Sequence, residues 1–270
     1  MSGAGDAVFH TRIVEILRAV AAKAILPRFK SLAEGDIRAK THAGDLVTIA
    51  DEEAELLLAE HFTALLPGSR VVGEEGVAKD AAVLDLLTGD DPVWVIDPID
   101  GTVNFVNGID RFAMMIALVR KGETTMGWIH DPITGATLVA ERGAGAWLID
   151  ADMTATARRL PVCDGNLATM TTALHHRVFG AHLGKFERNL RLGSAAHDYW
   201  GLAEGRIQIV SYRRLKPWDH AAGILIHAEA GGYARLLDGQ PYRPASANQE
   251  GLLCAPTAAV WEDVADLTRA

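Results

Sequence analysis

The stretch "VWVIDPIDGTVNF" (residues 93–105) sets an apolar strand, residues 93–96, directly against two carboxylates, a proline, a glycine and a threonine. Asp97 and Asp100 stand three positions apart, and Pro98 between them excludes a regular helix because it lacks an N–H and crowds the preceding turn. A bend at Pro98 would bring both acids to face one point, and the carbonyl of Ile99 between them could join them. Gly101 lets backbone amides approach a ligand closely, and Thr102 could start a short helix whose N–H groups face an anion. Loops at strand ends are the usual location of such sites.

Working outward, residues 6–30 carry Phe9, Ile13, Ile16, Val20 and Ala24 at helical spacing, with Pro27 marking the end. A second helix is expected in "DLVTIADEEAELLLAEHFTALLPG" (45–68). Thr48 and Asp51 have capping-box form, and Pro67 with Gly68 forms the stop. The strand "RVVG" (70–73) then delivers Glu74 and Glu75, and a short helix over 80–87 precedes the opening block. Residues 112–149 read as antiparallel strands, turning at Lys121-Gly122, at Asp131-Pro132 with Gly135, and at Gly143 with Gly145.

The polar stretch 150–166 reads as a join between an α+β half (1–150) and an α/β half (151–270), packed as one compact unit. In the second half, strands are expected at "LATMTTA" (167–173), "LRL" (190–192), "IQIV" (207–210) and "GLLCA" (251–255). Helices are expected near 177–184, in "SAAHDYWGLAEG" (194–205), in "PWDHAAGILIHAEAGG" (217–232) and from Pro256.

The 270 residues, 49% hydrophobic and 23% charged, suffice for one large domain or two intimately packed halves. The net charge of −9 argues against a broad nucleic-acid footprint and against anionic membrane surfaces. An anionic substrate stays open, because a bound cation reverses the sign locally. Cys163 and Cys254 form no C-x-x-C pair, and no basic-then-apolar leader is evident, so a reducing, cytoplasmic setting is expected. The longest apolar run, residues 112–119, is far short of the roughly 20 needed to span a bilayer, so no membrane partner is expected.

Several catalytic templates fail. "GAHLGKF" (180–186) is one residue short of a phosphate loop and lacks the hydroxyl residue after Lys185. There is no G-x-S-x-G elbow and no H-E-x-x-H, "GAGAWL" (143–148) misses the dinucleotide fingerprint, and His175 and His176 read as surface.

The remaining candidates are acids: Glu74 at one strand end, Asp97 and Asp100 at another, and Asp219 in the first turn of a helix opened by Pro217. Each taken alone has a structural account: a solvated glutamate pair, a turn starter, a helix-dipole partner and, for Thr102, a cap. Together they point to a site, since turns do not need an acid at every strand exit. Carboxylate and carbonyl oxygens without sulfur or imidazole suit magnesium, manganese or calcium rather than zinc. Two such cations about 4 Å apart could clamp a phosphate and activate water.

"GEEG" (73–76), "WVIDPIDGTVNF" (94–105) and "PWDHAAGILIHAEAGG" (217–232) resemble the three signature blocks of the inositol monophosphatase family. "DLVTIAD" (45–51) resembles a further block, and "GSAAHDYWGLAEG" (193–205) the segment that shapes the substrate pocket; the order agrees over essentially the whole chain. The resemblance implies a layered αβαβα sandwich of the sugar-phosphatase type, usually dimeric. It implies magnesium-dependent, lithium-inhibited hydrolysis of phosphate monoesters, with two or three ions and manganese as a substitute.

By the same resemblance, Glu74, Asp97, Asp100, Asp219 and the Ile99 carbonyl would hold metal, and the amides of Gly101 and Thr102 would grip phosphate. Thr102 would pair with Asp51 and, with Glu74, orient the attacking water, without a phosphoenzyme. Asp100 and residues Gly193, Ser194 and Ala195 would meet the alcohol part of the substrate.

One position departs from the pattern. Seven residues before Asp219, where the inositol phosphatases usually carry a glutamate that binds substrate hydroxyls, this chain has Tyr212. Tyrosine still forms hydrogen bonds but brings bulk and no charge. Arg213, Arg214 and Lys216 follow it, either as a solvated basic strand end or as a preference for a more anionic substrate. The substrate expected is inositol phosphate or a similar polyol phosphate. Histidinol phosphate, fructose 1,6-bisphosphate and a 3′(2′),5′-bisphosphate nucleotide are the alternatives. A non-catalytic member binding protein or RNA would be marked by a broken acid set, and here every acid is kept.

Overall fold

The computed structural model describes residues 4–40, 46–246 and 250–269. The first amphipathic pattern forms helix α1 (Ala4–Val20), which loosens into a π turn (Ala21–Ile25) and a 3-10 turn (Leu26–Arg28) around Pro27. A hairpin not expected from the sequence follows, β1 (Ile37–Ala39) against β2 (Leu46–Thr48). Helix α2 (Ile49–Leu65) opens on the Thr48 and Asp51 capping box. Asp45, the first residue of the "DLVTIAD" block, lies outside the described residues.

Strand β3 (Arg70–Gly73), helix α3 (Glu74–Lys79), β4 (Val93–Asp100) and helix α4 (Thr102–Val106) come next, and residues 81–88 take the tighter 3-10 form. The antiparallel run is β5 (Ala113–Arg120), β6 (Glu123–His130), β7 (Thr137–Glu141) and β8 (Gly145–Ile149), turning at the positions expected. Within the polar stretch read as a join, β9 (Ala155–Arg158) pairs with β8 at the sheet edge. These strands make one seven-stranded sheet in sequence order, in which only β3 and β4 pair in parallel.

The second half contributes β10 (Thr171–Ala173), α5 (His176–Phe179), β11 (Arg188–Asn189), α6 (Ala195–Ala203) and β12 (Ile209–Arg214). It ends with α7 (Pro217–Glu229), β13 (Tyr233–Leu236), β14 (Glu250–Ala255) and α8 (Ala258–Asp266). Their five-stranded sheet has the order β11-β10-β12-β14-β13. The strand expected at residues 190–192 is formed instead by Arg188 and Asn189, because Leu190 and Leu192 turn away to pack against the central core. Strand β12 begins two residues later than expected and carries Tyr212, Arg213 and Arg214 within it.

Alternating side chains of β4 and β5 divide between two cores, which is why both strands read as unbroken apolar runs. Trp94, Ile96, Met114 and Ile116 face α1 and α2, whereas Val93, Val95, Ala113 and Met115 face α6 and α7. The same two helices meet Val210, Leu252 and Cys254 of the second sheet, whose far face packs on α5 and α8 through Phe179, Val260 and Trp261. The layers therefore run helix, sheet, helix, sheet, helix. Close approach within the middle layer depends on Gly223, where an added Cβ would stand 2.1 Å from the Tyr199 ring. Among the described residues no helix is long and apolar enough to cross a membrane.

Candidate active site

Because β3 and β4 are parallel, their C-terminal ends emerge side by side, and Glu74 and Asp97 emerge with them. Pro98 does not end β4. The pairing with β5 slips between Asp97 and Asp100, and this bulge lets both acids reach the same cleft. Asp97 also acts as a local turn former, its Oδ1 accepting from the Ile99 amide at 3.1 Å. Asp219 comes from the first turn of α7, behind Pro217. A cleft of about 190 Å³ gathers Glu74, Asp97, Ile99, Asp100, Thr102 and Asp219.

Glu74, Asp97 and Asp219 each place a carboxylate oxygen within 4.8 Å of the others. Asp100 stands beside them and is held by the start of α6. Ser194 Oγ and the Ala196 amide donate to its Oδ2, the latter at 2.8 Å, and the Ala195 amide donates to Oδ1 at 3.2 Å. Gly101 adopts φ +89°, and a Cβ there would stand 2.8 Å from the Arg111 carbonyl oxygen, so no other residue fits without strain. The Thr102 hydroxyl lies 3.0 Å from the Ile99 oxygen and 3.3 Å from Asp51 Oδ1. Asp51 is fixed in turn by the Thr48 amide at 2.8 Å and the Thr48 hydroxyl at 2.6 Å, so the α2 capping box also orients the site.

These acids repel one another. Burial, and then the charge of Glu74, push the Asp97 and Asp219 carboxyls well above the usual range. Burial lifts Asp100 to about 6 against the bonds from Ser194, Ala195 and Ala196, and lifts Asp51 to about 7 against those from Thr48. Lys40 gives partial relief, its Nζ lying 2.9 Å from Glu74 and 2.7 Å from Glu75, while Lys216 lies 3.9 Å from Glu74. Burial alone would depress the Lys40 ammonium, but the two glutamates raise it instead. Among the described residues neither Asp97 nor Asp219 forms an ion pair. A half-buried, all-oxygen, mutually repelling donor set of this kind fits a small hard divalent cation.

Three residues of this environment were not singled out by the sequence, although Asp198 lies within the block at 193–205. Glu55, mid-helix in α2, accepts from the Glu75 and Gly76 amides at 2.8 Å each and so fixes the start of α3 behind Glu74. Lys40 arrives from the segment after β1. Asp198 of α6 accepts from the Tyr212 hydroxyl at 2.9 Å. Tyr212 is therefore not in the acid cleft. With Asp198 it lines a neighbouring pocket of about 410 Å³ that adjoins the cleft at Gly193, where Ser194 and Ala195 also lie.

The basic residues after Tyr212 separate. Arg214 and Lys216 border a groove with Lys40, Glu74 and Glu75, and Lys216 reaches the acid cleft as well. Arg213 instead bears on His175, whose pKa is depressed by burial and then by the surrounding positive charges. Glu75 is buried against Lys40 rather than solvated.

Residues 10–269 match the sequence model of the inositol monophosphatase family. A Thermotoga maritima protein named fructose-1,6-bisphosphatase/inositol-1-monophosphatase is 32% identical over 218 residues, covering 79% of this chain and 80% of its own. A Vibrio cholerae protein named Nus factor SuhB is 36% identical over 217 residues, covering 75% of this chain and 76% of its own. Among solved structures, an inositol monophosphatase (IMPase) from Thermotoga maritima superposes with a TM-score of 0.80 at 26% identity, over 95% of this chain and 94% of that one. Layer order, acid cleft and kinship make this protein a phosphoric monoester hydrolase. The chain belongs to the inositol monophosphatase family.

Proposed function

We propose that this enzyme hydrolyses the phosphate monoester of a polyol, with inositol 1-phosphate as the reference substrate, and requires magnesium. The observation that carries the reading is the meeting of Glu74, Asp97 and Asp219 within 4.8 Å, beside Gly101 and Thr102. Glu74, Asp97, Asp100, Asp219 and the Ile99 carbonyl would hold two or three magnesium ions, with manganese as a substitute. Bound there, the metal supplies the charge that polarises a phosphoryl oxygen and acidifies water.

The chain's own groups do the rest. The amides of Gly101 and Thr102 take phosphate oxygens. The Thr102 hydroxyl donates toward Asp51 and Ile99, which leaves its lone pairs to accept from the attacking water, on whose other side stands Glu74. Asp51, raised to about 7, is placed to take the proton relayed through that hydroxyl. The leaving alcohol lies along Gly193, Ser194 and Ala195, with Asp100 and Tyr212 bordering its path. Water attacks directly, and no phosphoenzyme forms. A cytoplasmic homodimer inhibited by lithium completes the proposal.

Phosphate release measured with magnesium, and again with EDTA, across inositol 1-phosphate, histidinol phosphate, fructose 1,6-bisphosphate and adenosine 3′,5′-bisphosphate tests it. Magnesium-dependent release with inositol 1-phosphate preferred is the expected result, and preference for another compound reassigns the substrate within the same chemistry. Silence across the panel, together with binding of RNA or of a protein, would replace catalysis with a binding role.

A further inference from the structure

Helix α3 delivers Glu74 to the acid cleft, yet it has no side-chain cap of its own. Its N-cap is Gly73, at a position where serine, threonine, asparagine or aspartate would bond the first free amides. Those amides are taken instead by Glu55 of α2, 20 and 21 positions away. Its Oε2 accepts from the Glu75 N–H and its Oε1 from the Gly76 N–H, at 2.8 Å each. Gly73 makes room for this, since an added Cβ would stand 2.2 Å from the Glu55 carboxyl carbon. A local cap would satisfy the same amides. A cap sent from α2 also fixes where α3 lies.

The place is unfavourable for an acid. Burial lifts the Glu55 carboxyl to about 7, the two amides oppose the rise, and the charges of Glu75 and Glu74 add to it. Asp51 stands one turn earlier on the same face of α2 and faces the Thr102 hydroxyl at 3.3 Å. In the hydrolysis proposed above, Thr102 and Glu74 stand on either side of the attacking water. One helix face therefore supports both. That helix is itself held by the Thr48 cap and by Ala50, Ala54, Leu58 and Phe62, all fully buried.

We infer that Glu55 is a positioning residue, which clamps the first turn of α3 and so sets the Glu74 carboxylate relative to Asp97 and Asp219. Magnesium affinity and the alignment of the attacking water both depend on that clamp. The inference rests on the hydrolysis proposed above and adds a residue that touches neither metal nor substrate.

The test is the magnesium midpoint, read from the rise in Tm and separately from phosphate release with inositol 1-phosphate. Glu55→Gln sets an amide NH2 against one of the two N–H donors. It should raise the midpoint about tenfold or more, and lower kcat at saturating magnesium more than it raises KM. Gly73→Ala should do the same with the charge of Glu55 intact, because the new methyl displaces the carboxylate. Glu52→Gln removes a charge from the same helix without touching the clamp, and should move the midpoint by less than about threefold. A role confined to stability would lower the Tm in EDTA and leave the midpoint where it is. Glu55→Asp, one methylene short of the amides, serves with the same expectation if Glu55→Gln does not fold. A midpoint within about twofold of wild type in a folded Glu55 variant or in Gly73→Ala overturns the inference, as does an equal shift in Glu52→Gln. A wild type that binds magnesium but releases no phosphate would instead overturn the hydrolysis on which the inference rests.

Discussion

Replacing Asp219 by asparagine should make the metal-free protein more stable while abolishing its activity. Two unit charges 4.8 Å apart repel by about 3.5 kcal/mol at an effective dielectric of about 20, and Asp219 faces both Glu74 and Asp97 at no more than that distance. Lys216 and Lys40 offset part of this repulsion, and the carboxyl avoids more of it by holding its proton above the usual range. A net relief of about 1–3 kcal/mol remains, or about 2–6 °C in Tm for a chain of this length.

The sign with pH follows from the direction of the shifts. An acid whose pKa is raised in the folded state weakens folding above its unfolded value, and the effect is complete above its folded value. The advantage of Asp219→Asn should therefore grow as the pH rises and shrink as the pH falls. The depressed pKa values of His130, His220 and His227 make stability fall on acidification below about 6.5, but these residues are common to both proteins and cancel in the comparison. Thermal melts of both proteins in EDTA between pH 5.5 and 8, repeated with magnesium, provide the measurement. Magnesium should raise the wild type selectively and reverse the order. If the asparagine variant melts below the wild type in EDTA at pH 8, the acids are not in electrostatic conflict and the reasoning fails.

Other substitutions probe the supports of the cleft. Gly101→Ala should cost about 2–4 kcal/mol in urea unfolding, because it combines φ +89° with a 2.8 Å approach to a backbone oxygen; a loss under 0.5 kcal/mol would show that the turn relaxes freely. Asp51→Asn should cost about 0.5–2 kcal/mol through the capping box and lower turnover about a hundredfold. Thr102→Ser should stay active where Thr102→Val does not, and equal rates in those two variants would remove the hydroxyl from the mechanism. Gly223→Ala pushes a methyl into the Tyr199 ring and should destabilise by about 1–3 kcal/mol, with magnesium affinity falling as α7 shifts; unchanged affinity would show that α7 tolerates displacement.

The elements legible in the sequence are those that determine their own form. Helix α2 has its cap, β4 and β5 have the unbroken apolar runs of a sheet covered on both faces, and the hairpin turns have glycines at positive φ. The elements missed or displaced, namely the β1 and β2 hairpin, β9, β11 and β13, are two to four residues long. A strand that short exists because a neighbour pairs with it, and no local pattern of side chains distinguishes it from a loop. Leu190 and Leu192 show how the local pattern misleads, since their alternation suggests a strand while they serve the central core.

The site divides along the same line. Asp97, Ile99, Asp100, Gly101 and Thr102 lie in one short block, where the spacing of the acids around a proline is enough to suggest a shared ligand. Glu55 and Lys40 lie outside every such block, because their roles come from partners 20 and 34 or more positions away. Tyr212 is the most instructive case. Considered by itself, it is a position that has lost a charge and gained bulk while keeping one hydrogen-bonding group. Its hydroxyl is instead bonded to Asp198, fourteen positions earlier, and that carboxylate keeps one oxygen unpaired beside the same pocket. The pocket therefore keeps a carboxylate, delivered by α6 rather than by β12.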